Sequence, residues 1–460
     1  MAICQQPLEK HRDVWGECFA RCELTLLRAL SVFMLMLFVA FAGSACSGRP
    51  DIAAVQQFYR QGTPHTDRQG INRKDYDSAR SFLPIAIYHA LSGTHHGVEY
   101  DLRALSAAGF NTVHLWERQA PEAFISGARD AGLQAIVHWP KLKSVENLFR
   151  DPTVLAWYLD EEPTFLYPPE ETQQRLASFR RNRDAIRRID KYSPIFVLDG
   201  PPTEVNRARW NRWNRAGDIT SHFNYPVTVK SLRDYGPVER VAKTTAIARD
   251  LVDGARPVWI VLQAFGGEAR GWRMPRPATL RAMAYAAIVH GATGLVYFAY
   301  DSFVTRDDGI LGISPSPRRD YGVTIDYNAD DKPPLRVSET ELDQSRKLFR
   351  AVAKMNAEMT QLREAILSPT SAVAYSVRPV DALGRGNAVR TLLKRTRNGH
   401  FLFAVNVDGS PAPAVFRFSR AVAEIEPLFG SAVPENVGTD GWTMRFPSEA
   451  VGVYRVVFKS

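Results

Sequence analysis

From residue 82 to residue 300 the chain alternates short apolar runs with stretches of helical periodicity, the pattern of repeated βα units. Eight runs read as strands: Phe82–Tyr88, Thr112–Trp116, Gln134–Trp139, Val154–Leu159, Ile195–Leu198, Ile219–Asn224, Val258–Ala264 and Gly294–Tyr300. Helices are expected near 98–108, 121–131, 170–190, 204–214, 237–253 and 278–290, with only a brief one after Trp139. The runs are mostly apolar throughout rather than alternating, as in a parallel sheet covered by helices. Eight such units in about 260 residues close as a (β/α)8 barrel. An open doubly wound sheet is the alternative, but the chain lacks its Gly-rich phosphate loop after the first strand.

Past the eighth strand, residues 301–336 are polar and Pro-rich. Ser338-Glu-Thr-Glu341 then opens a strong helix with a capping box, expected to close the barrel. From about residue 369 the pattern shifts to short alternating strands at 371–377, 388–396, 401–407, 413–418, 442–446 and 451–458. Asn398-Gly399 reads as a two-residue hairpin turn. No internal repeat is visible. The expected fold is α/β: a (β/α)8 TIM barrel over 81–365 and a C-terminal all-β sandwich domain over 366–460.

The segment before the barrel reads as an address. Residues 29–42 form an uncharged apolar run of 14, with Arg21 and Arg28 before it and Gly43-Ser-Ala45 after it. That is the layout of a secretory signal over 1–45, too short for a membrane span of about 20 residues. Cys46 directly follows, so the zone resembles a bacterial lipobox, with Gly43 standing where Leu is usual. The expectation is an exported cell-envelope lipoprotein, periplasmic or outer-membrane anchored, held by lipid on Cys46 through a polar tether over 46–80.

Composition sharpens this picture. The four cysteines are Cys4, Cys18, Cys22 and Cys46, which excludes a disulfide framework or Cys-based zinc site in the main body. The net charge is +9, and 46 of the 58 basic residues are Arg. The leader holds four basic and four acidic residues, so this charge belongs wholly to the exported part. With no nucleic-acid-binding motif and no long basic run, a membrane or an anionic polysaccharide suits it better than nucleic acid.

In a barrel of this kind the chemistry sits at the C-terminal ends of the strands. The fourth strand runs directly into Asp160-Glu161-Glu162-Pro163. Three adjacent carboxylates at a strand mouth repel, which raises at least one pKa toward that of a general acid working near neutrality.

This segment, Trp157-Tyr-Leu-Asp-Glu-Glu-Pro163, resembles the glycoside hydrolases built on the (β/α)8 barrel, the superfamily of β-galactosidases, β-mannanases and cellulases. Gly109-Phe-Asn-Thr-Val113 on the second strand and Arg281–Tyr300 over the last helix and strand add to the likeness. The resemblance spans about 82–460. It implies that Glu162 is the general acid/base, with Glu161 where close members carry Asn. It also implies a nucleophilic Glu at the end of the seventh strand, where this chain has Gln263. An amide cannot form the covalent glycosyl intermediate. The second carboxylate would then be Glu268, Asp199, Glu117 or Asp301. A farther partner suits inversion, at roughly 6.5–9.5 Å between carboxyls. Otherwise the site binds sugar without cleaving it.

Aromatic residues cluster at the same mouths. Trp116, Trp139, Tyr225, Trp272 and Tyr300 can stack on sugar faces, with His138, Asn224, Gln263 and Asp301 as polar neighbours for hydroxyls. Gly266–Trp272 has the composition of a mobile loop carrying Glu268 and Trp272. His89, His95, His96, His114, His138 and His222, with Asp301, raise a metal-dependent hydrolase as the rival. The His-x-His expected on the first strand of that class is missing, and no metal or cofactor is expected. The functional expectation is hydrolysis of glycosidic bonds in an oligo- or polysaccharide. The alternative is a non-catalytic carbohydrate-binding lipoprotein.

Overall fold

The computed structural model describes residues 65–66, 72–73, 82–95, 98–115, 121–138, 140–190, 193–229, 236–252, 256–267, 271–304, 309–317, 337–379 and 388–459. Cys46, its leader, Trp116, Glu117, Trp139 and Glu268 lie outside them, as does most of the Pro-rich segment after the eighth strand. Among the described residues no helix is long and apolar enough to cross a membrane.

Eight strands close into a barrel: β1 (Ile85–Ala90), β2 (Thr112–Leu115), β3 (Gln134–His138), β4 (Val154–Glu161), β5 (Ile195–Asp199), β6 (Ile219–Asn224), β7 (Val258–Gln263) and β8 (Gly294–Phe298). Each pairs in parallel with its sequence neighbours, and β8 pairs with β1. Their near-continuous burial is the physical content of the apolar runs, since one face meets the barrel interior and the other the helices.

A main helix follows each strand, with a one-turn helix at Pro163–Leu166 also between β4 and α4: α1 (Leu102–Ala107), α2 (Pro121–Asp130), α3 (Leu142–Leu148), α4 (Thr172–Ile189), α5 (Arg207–Asn214), α6 (Pro237–Leu251), α7 (Pro277–Val289) and α8 (Glu339–Leu367). Local chemistry starts several of them. Asp101 caps α1 by accepting from Arg103 N at 2.9 Å. Pro237 and Pro277 open α6 and α7, where a missing N–H costs nothing. The expected capping box opens α8, with Glu341 N donating to Ser338 Oγ at 3.2 Å and Ser338 N to Glu341 Oε2 at 2.7 Å. Helix α8 closes the barrel between α7 and the end of α1: Asn356 Nδ2 donates to Ala108 O, the C-cap of α1, at 3.0 Å. Next to that contact, Gly109 holds φ +78°, and a Cβ there would come within 3.0 Å of Asn356.

The C-terminal region is two four-stranded antiparallel sheets. One has the order β9 (Tyr375–Pro379), β12 (Ala412–Phe418), β15 (Gly441–Phe446), β14 (Glu435–Gly438). The other runs β10 (Val389–Thr396), β11 (Gly399–Asn406), β16 (Val451–Phe458), β13 (Val422–Gly430). Leu393, Leu402, Phe416, Trp442 and Tyr454 share the core between them, as a sandwich requires. The neighbouring positions Leu392, Phe403, Val405 and Val453 face the other way and join the barrel's core.

Helix α7 lies at this junction. Residues 282–289 are all buried, because the barrel covers one side and the β sheet the other. Glu449 of the sandwich accepts from Arg276 at 3.0 Å and from Thr279 at 2.8 Å, tying down the start of α7.

The helix expected near 98–108 begins only at Leu102, residues 98–100 being a strand, and three details of the C-terminal region also differ from expectation. Thr396 pairs with Gly399, so the hairpin turn is Arg397-Asn398, one residue earlier than the Asn-Gly pair. The first sandwich strand begins at Tyr375 rather than 371. Strands β13 and β14 were not expected at all. Both are edge strands; β13 carries Glu424, Glu426, Pro427 and two register shifts, which together erase the alternation that marks a strand.

Lys394 is buried at the same junction and donates to Ser368 O, the C-cap of α8, at 2.5 Å. Burial pulls its ammonium down from 10.5 to about 7. Between those values the unfolded chain holds the extra proton, so stability rises with pH by up to roughly 1.4 kcal/mol per unit. Below about 7 both states are protonated and that contribution is absent. Urea unfolding at pH 7 and pH 9 should show this rise in wild type and not in Lys394→Met. A difference between the two that does not change with pH would count against it.

Candidate active site

The mouth at the C-terminal ends of the strands holds the titratable groups of interest, and a bulge decides which of them face it. In β4, Tyr158 pairs with Phe196 but Asp160 pairs with Val197, leaving Leu159 as an extra residue. The bulge reverses the alternation beyond it. Asp160 turns outward, where its Oδ1 accepts from Tyr167 Oη at 3.0 Å. Glu161 turns inward and stands 3.9 Å from His138 Nε2. Burial pushes Asp160 up to about 6 despite the Tyr167 hydrogen bond.

Glu162 follows at φ +50°, a left-handed conformation that non-glycine residues adopt at a cost. The geometry is held from three sides. Glu162 N donates to Leu198 O at 2.8 Å. Asp199 Oδ1 accepts from Thr164 N at 3.0 Å, from Thr164 Oγ1 at 2.6 Å and from Gly200 N at 2.8 Å. Arg209 of α5 donates to the carbonyls of Thr164 and Tyr167. Burial alone pushes the Glu162 carboxyl up to about 7. It does the same to Asp199, also to about 7, with the charge of Glu162 adding to it. Asp199 Oδ2 is buried and accepts no hydrogen bond from the described residues.

Beneath the carboxylates lies a floor of buried rings. Tyr88 stacks on His114 and His138 on Tyr158, each pair with centroids 3.9 Å apart. The histidines are neutral, because burial holds His114 and His138 well below the usual imidazole range and His89 at about 3. Burial, and then the charge of Glu161, push the hydroxyls of Tyr88 and Tyr158 well above the usual phenol range, and Glu162 adds to both. Both carboxylates therefore lie close to this floor, Glu161 within 3.9 Å of His138. Low dielectric there strengthens every interaction with a charge that develops in the mouth.

One wall of the mouth is aromatic. Phe298 stacks on Tyr225 at 5.4 Å, and Tyr225 on Phe223 at 4.9 Å. Phe265 meets Tyr225 edge-on at 5.0 Å, and Trp272 meets Phe265 edge-on at 5.2 Å.

Glu161, Glu162, His138 and Tyr225 are thus gathered in the mouth, with Asp199 directly behind Glu162. Trp272 stands on the rim. Tyr300 and Asp301 are buried beside the ribbon Gly93–His95 and Val98–Tyr100, where Asp301 Oδ2 accepts from Tyr100 Oη at 2.9 Å.

Two expected ligand contacts are put to other use. Asn224 has outward alternation, and its amide donates to Thr244 Oγ1 at 2.9 Å and Arg240 O at 3.3 Å, both on α6. It fastens β6 to its helix, as His222 does through Thr244 at 3.1 Å. Gln263 ends β7 with its amide fully buried. Its Oε1 accepts from Val227 N at 2.8 Å, and its Nε2 donates to Val227 O at 2.9 Å and Arg273 O at 3.0 Å. The side chain staples the loops after β6 and β7 together.

Among the described residues no three His, Cys, Asp or Glu side chains converge as metal ligands. The barrel histidines pack among tyrosines instead. Sequence reasoning passed over Tyr88, Tyr158, Phe223, Phe298 and Thr164. For the four aromatic residues the usable signal was position, since each sits near the end of a strand.

No family model and no curated protein matches the chain. Solved structures do resemble it. An alpha-amylase from H. orenii, 10% identical, covers 82% of this chain and 99% of its own at a TM-score of 0.47. An endo-beta-1,4-mannanase from Thermotoga petrophila, 12% identical, covers 80% and 91% at 0.38. Amy13B of Eubacterium rectale is 9% identical and covers 88% of this chain and 99% of its own at 0.52. At such identities the likeness, which rests on the last of these, is one of fold: a (β/α)8 barrel with a C-terminal β region.

Proposed function

We propose that this chain hydrolyses glycosidic bonds in an oligo- or polysaccharide, with Glu162 as the general acid. One observation carries the reading: at the end of β4 a half-buried Glu162, pushed up to about 7, stands next to Glu161, whose carboxylate lies 3.9 Å from buried His138, with the stacked rings of Tyr225 and Phe298 at the neighbouring strand ends. A carboxylic acid with that pKa keeps its proton near neutrality and can deliver it. Glu162 gives the proton to the glycosidic oxygen as the C–O bond breaks. The Glu161 carboxylate faces the positive charge that develops on the sugar ring. Water then adds hydroxide to the anomeric carbon and returns a proton to Glu162. Asp199 acts through Thr164 and Gly200 as a positioning residue. The likeness of Trp157–Pro163 to the glycoside hydrolase motif supports the same assignment.

The test is release of reducing ends from starch, galactomannan, xylan and mixed-linkage glucan. Cleavage needs protonated Glu162, so kcat/KM should fall about tenfold per pH unit above roughly pH 7. A rate that is flat from pH 6 to 9 would show that Glu162 is not the acid. A second reading, sugar binding without cleavage, is favoured by the stapled amide of Gln263 at the tip of β7. Retention on one of these polysaccharides with no reducing ends released would decide for it. The exported, lipid-anchored location stays part of this proposal, and labelling of Cys46 with a clickable palmitate analogue would check it.

A further inference from the structure

The aromatic wall of the mouth continues outward to a ring that nothing above uses. Phe223, third in the series from Phe298 through Tyr225, lies 6.1 Å from the ring of Phe165. Phe298, Tyr225 and Phe223 are partly buried, whereas Phe165 is 61% exposed. The series therefore runs from beside Tyr88 of the floor, 5.7 Å from Phe298, out to solvent.

Phe165 is exposed but not loose. It sits in the turn Pro163–Leu166 directly after Glu162, and its N–H donates to Glu162 O at 2.8 Å. Asp199 and Arg209 grip the same turn through Thr164. The Cδ2–Cε2 side of the ring rests on Gly200, where any Cβ would overlap those two atoms. A glycine at the end of β5 therefore makes the seat for the ring. A large apolar side chain held rigid, seated and still open to water is what a ligand-stacking platform needs, because little conformational freedom remains to be lost on binding.

We propose that Phe165 is a sugar-stacking platform, which takes the apolar face of a pyranose unit one step outside the bond held by Glu162. The inference rests on the carbohydrate reading of the mouth and adds a substrate requirement to it. The favoured ligand is a chain long enough to leave the barrel along Phe223 and Phe165. The argument for sugar is continuity: the ring series leads from the platform to Tyr225 just past the end of β6, so one ligand can meet the open face of Phe165 and the polar groups of the mouth together.

Affinity gel electrophoresis in starch, galactomannan, xylan and mixed-linkage glucan tests it. Wild type and Glu162→Gln should both be retarded by at least one of them. Phe165→Ala should bind that polysaccharide about tenfold more weakly, and Phe165→Trp should restore retention. The control Val205→Ser, at a side chain 99% exposed and outside the ring series, should match wild type. Equal retardation of Phe165→Ala and wild type overturns the platform and leaves the site reading standing. No retardation of wild type in any gel overturns both. Loss of sedimentation with phosphatidylcholine–phosphatidylglycerol vesicles in Phe165→Ala, with polysaccharide retention unchanged, assigns the ring to a membrane and also overturns the proposal.

Discussion

Replacing Glu162 by Gln should lower kcat by about 10²–10⁴-fold while leaving polysaccharide affinity within a few-fold of wild type. Gln has the same shape, and the left-handed turn does not depend on the charge. Glu162 contributes its backbone N–H to Leu198, and the turn is gripped through Thr164 and Tyr167. What disappears is the proton that a carboxylic acid shifted to about 7 can deliver. The neighbouring acid gives the contrast. Asp160→Asn touches a group turned away from the mouth and bonded to Tyr167, so its rate should fall by less than about tenfold. Initial rates on the best polysaccharide, with retention measured alongside, decide the matter. If Glu162→Gln keeps its rate within tenfold of wild type, or Asp160→Asn proves the more damaging change, the assignment of the acid is wrong.

Gln263→Glu should not restore a nucleophile; it should cost about 2–4 kcal/mol of stability. The resemblance to retaining glycoside hydrolases invites this substitution, and the structure argues against it. Gln263 Nε2 donates into Val227 O and Arg273 O, with Phe265 O at 3.4 Å. A carboxylate there would set oxygen against oxygen, unpair the two loops and remain buried beside β7. Urea denaturation gives the stability loss, and reducing-end release gives the rate. A stable, faster Gln263→Glu enzyme would instead mean that the amide merely fills a vacated catalytic position.

The contrast between these two positions shows how much was legible from the chain. The eight strands could be read because their signal is local: an apolar run needs no partner to be recognised, and two-sided burial imposes it. The capping box before α8 is likewise local chemistry within four residues, Ser338 to Glu341. Edge strand β13 was lost because charges, Pro427 and two bulges suppress alternation. Residues 282–289 are apolar without a break, and the reason for it, a β sheet packed on the outer side of α7, is visible only in three dimensions.

The site divides along the same line. That Asp160, Glu161 and Glu162 stand together at a strand mouth follows from the sequence, because adjacency along the chain is adjacency in space. Their roles do not, because one extra residue at Leu159 reverses alternation and sends Asp160 out and Glu161 in. Asn224 and Gln263 have the right residue types at the right strand ends, yet their amides are used by Thr244, Val227 and Arg273, from 10 to 36 residues away along the chain. By itself the sequence determined the barrel, its trailing β domain and the acidic cluster, since those are written in short-range periodicity. Only the tertiary structure decided which polar groups the scaffold uses and which it leaves to the mouth, because a hydrogen bond belongs to whichever partner the fold brings within reach.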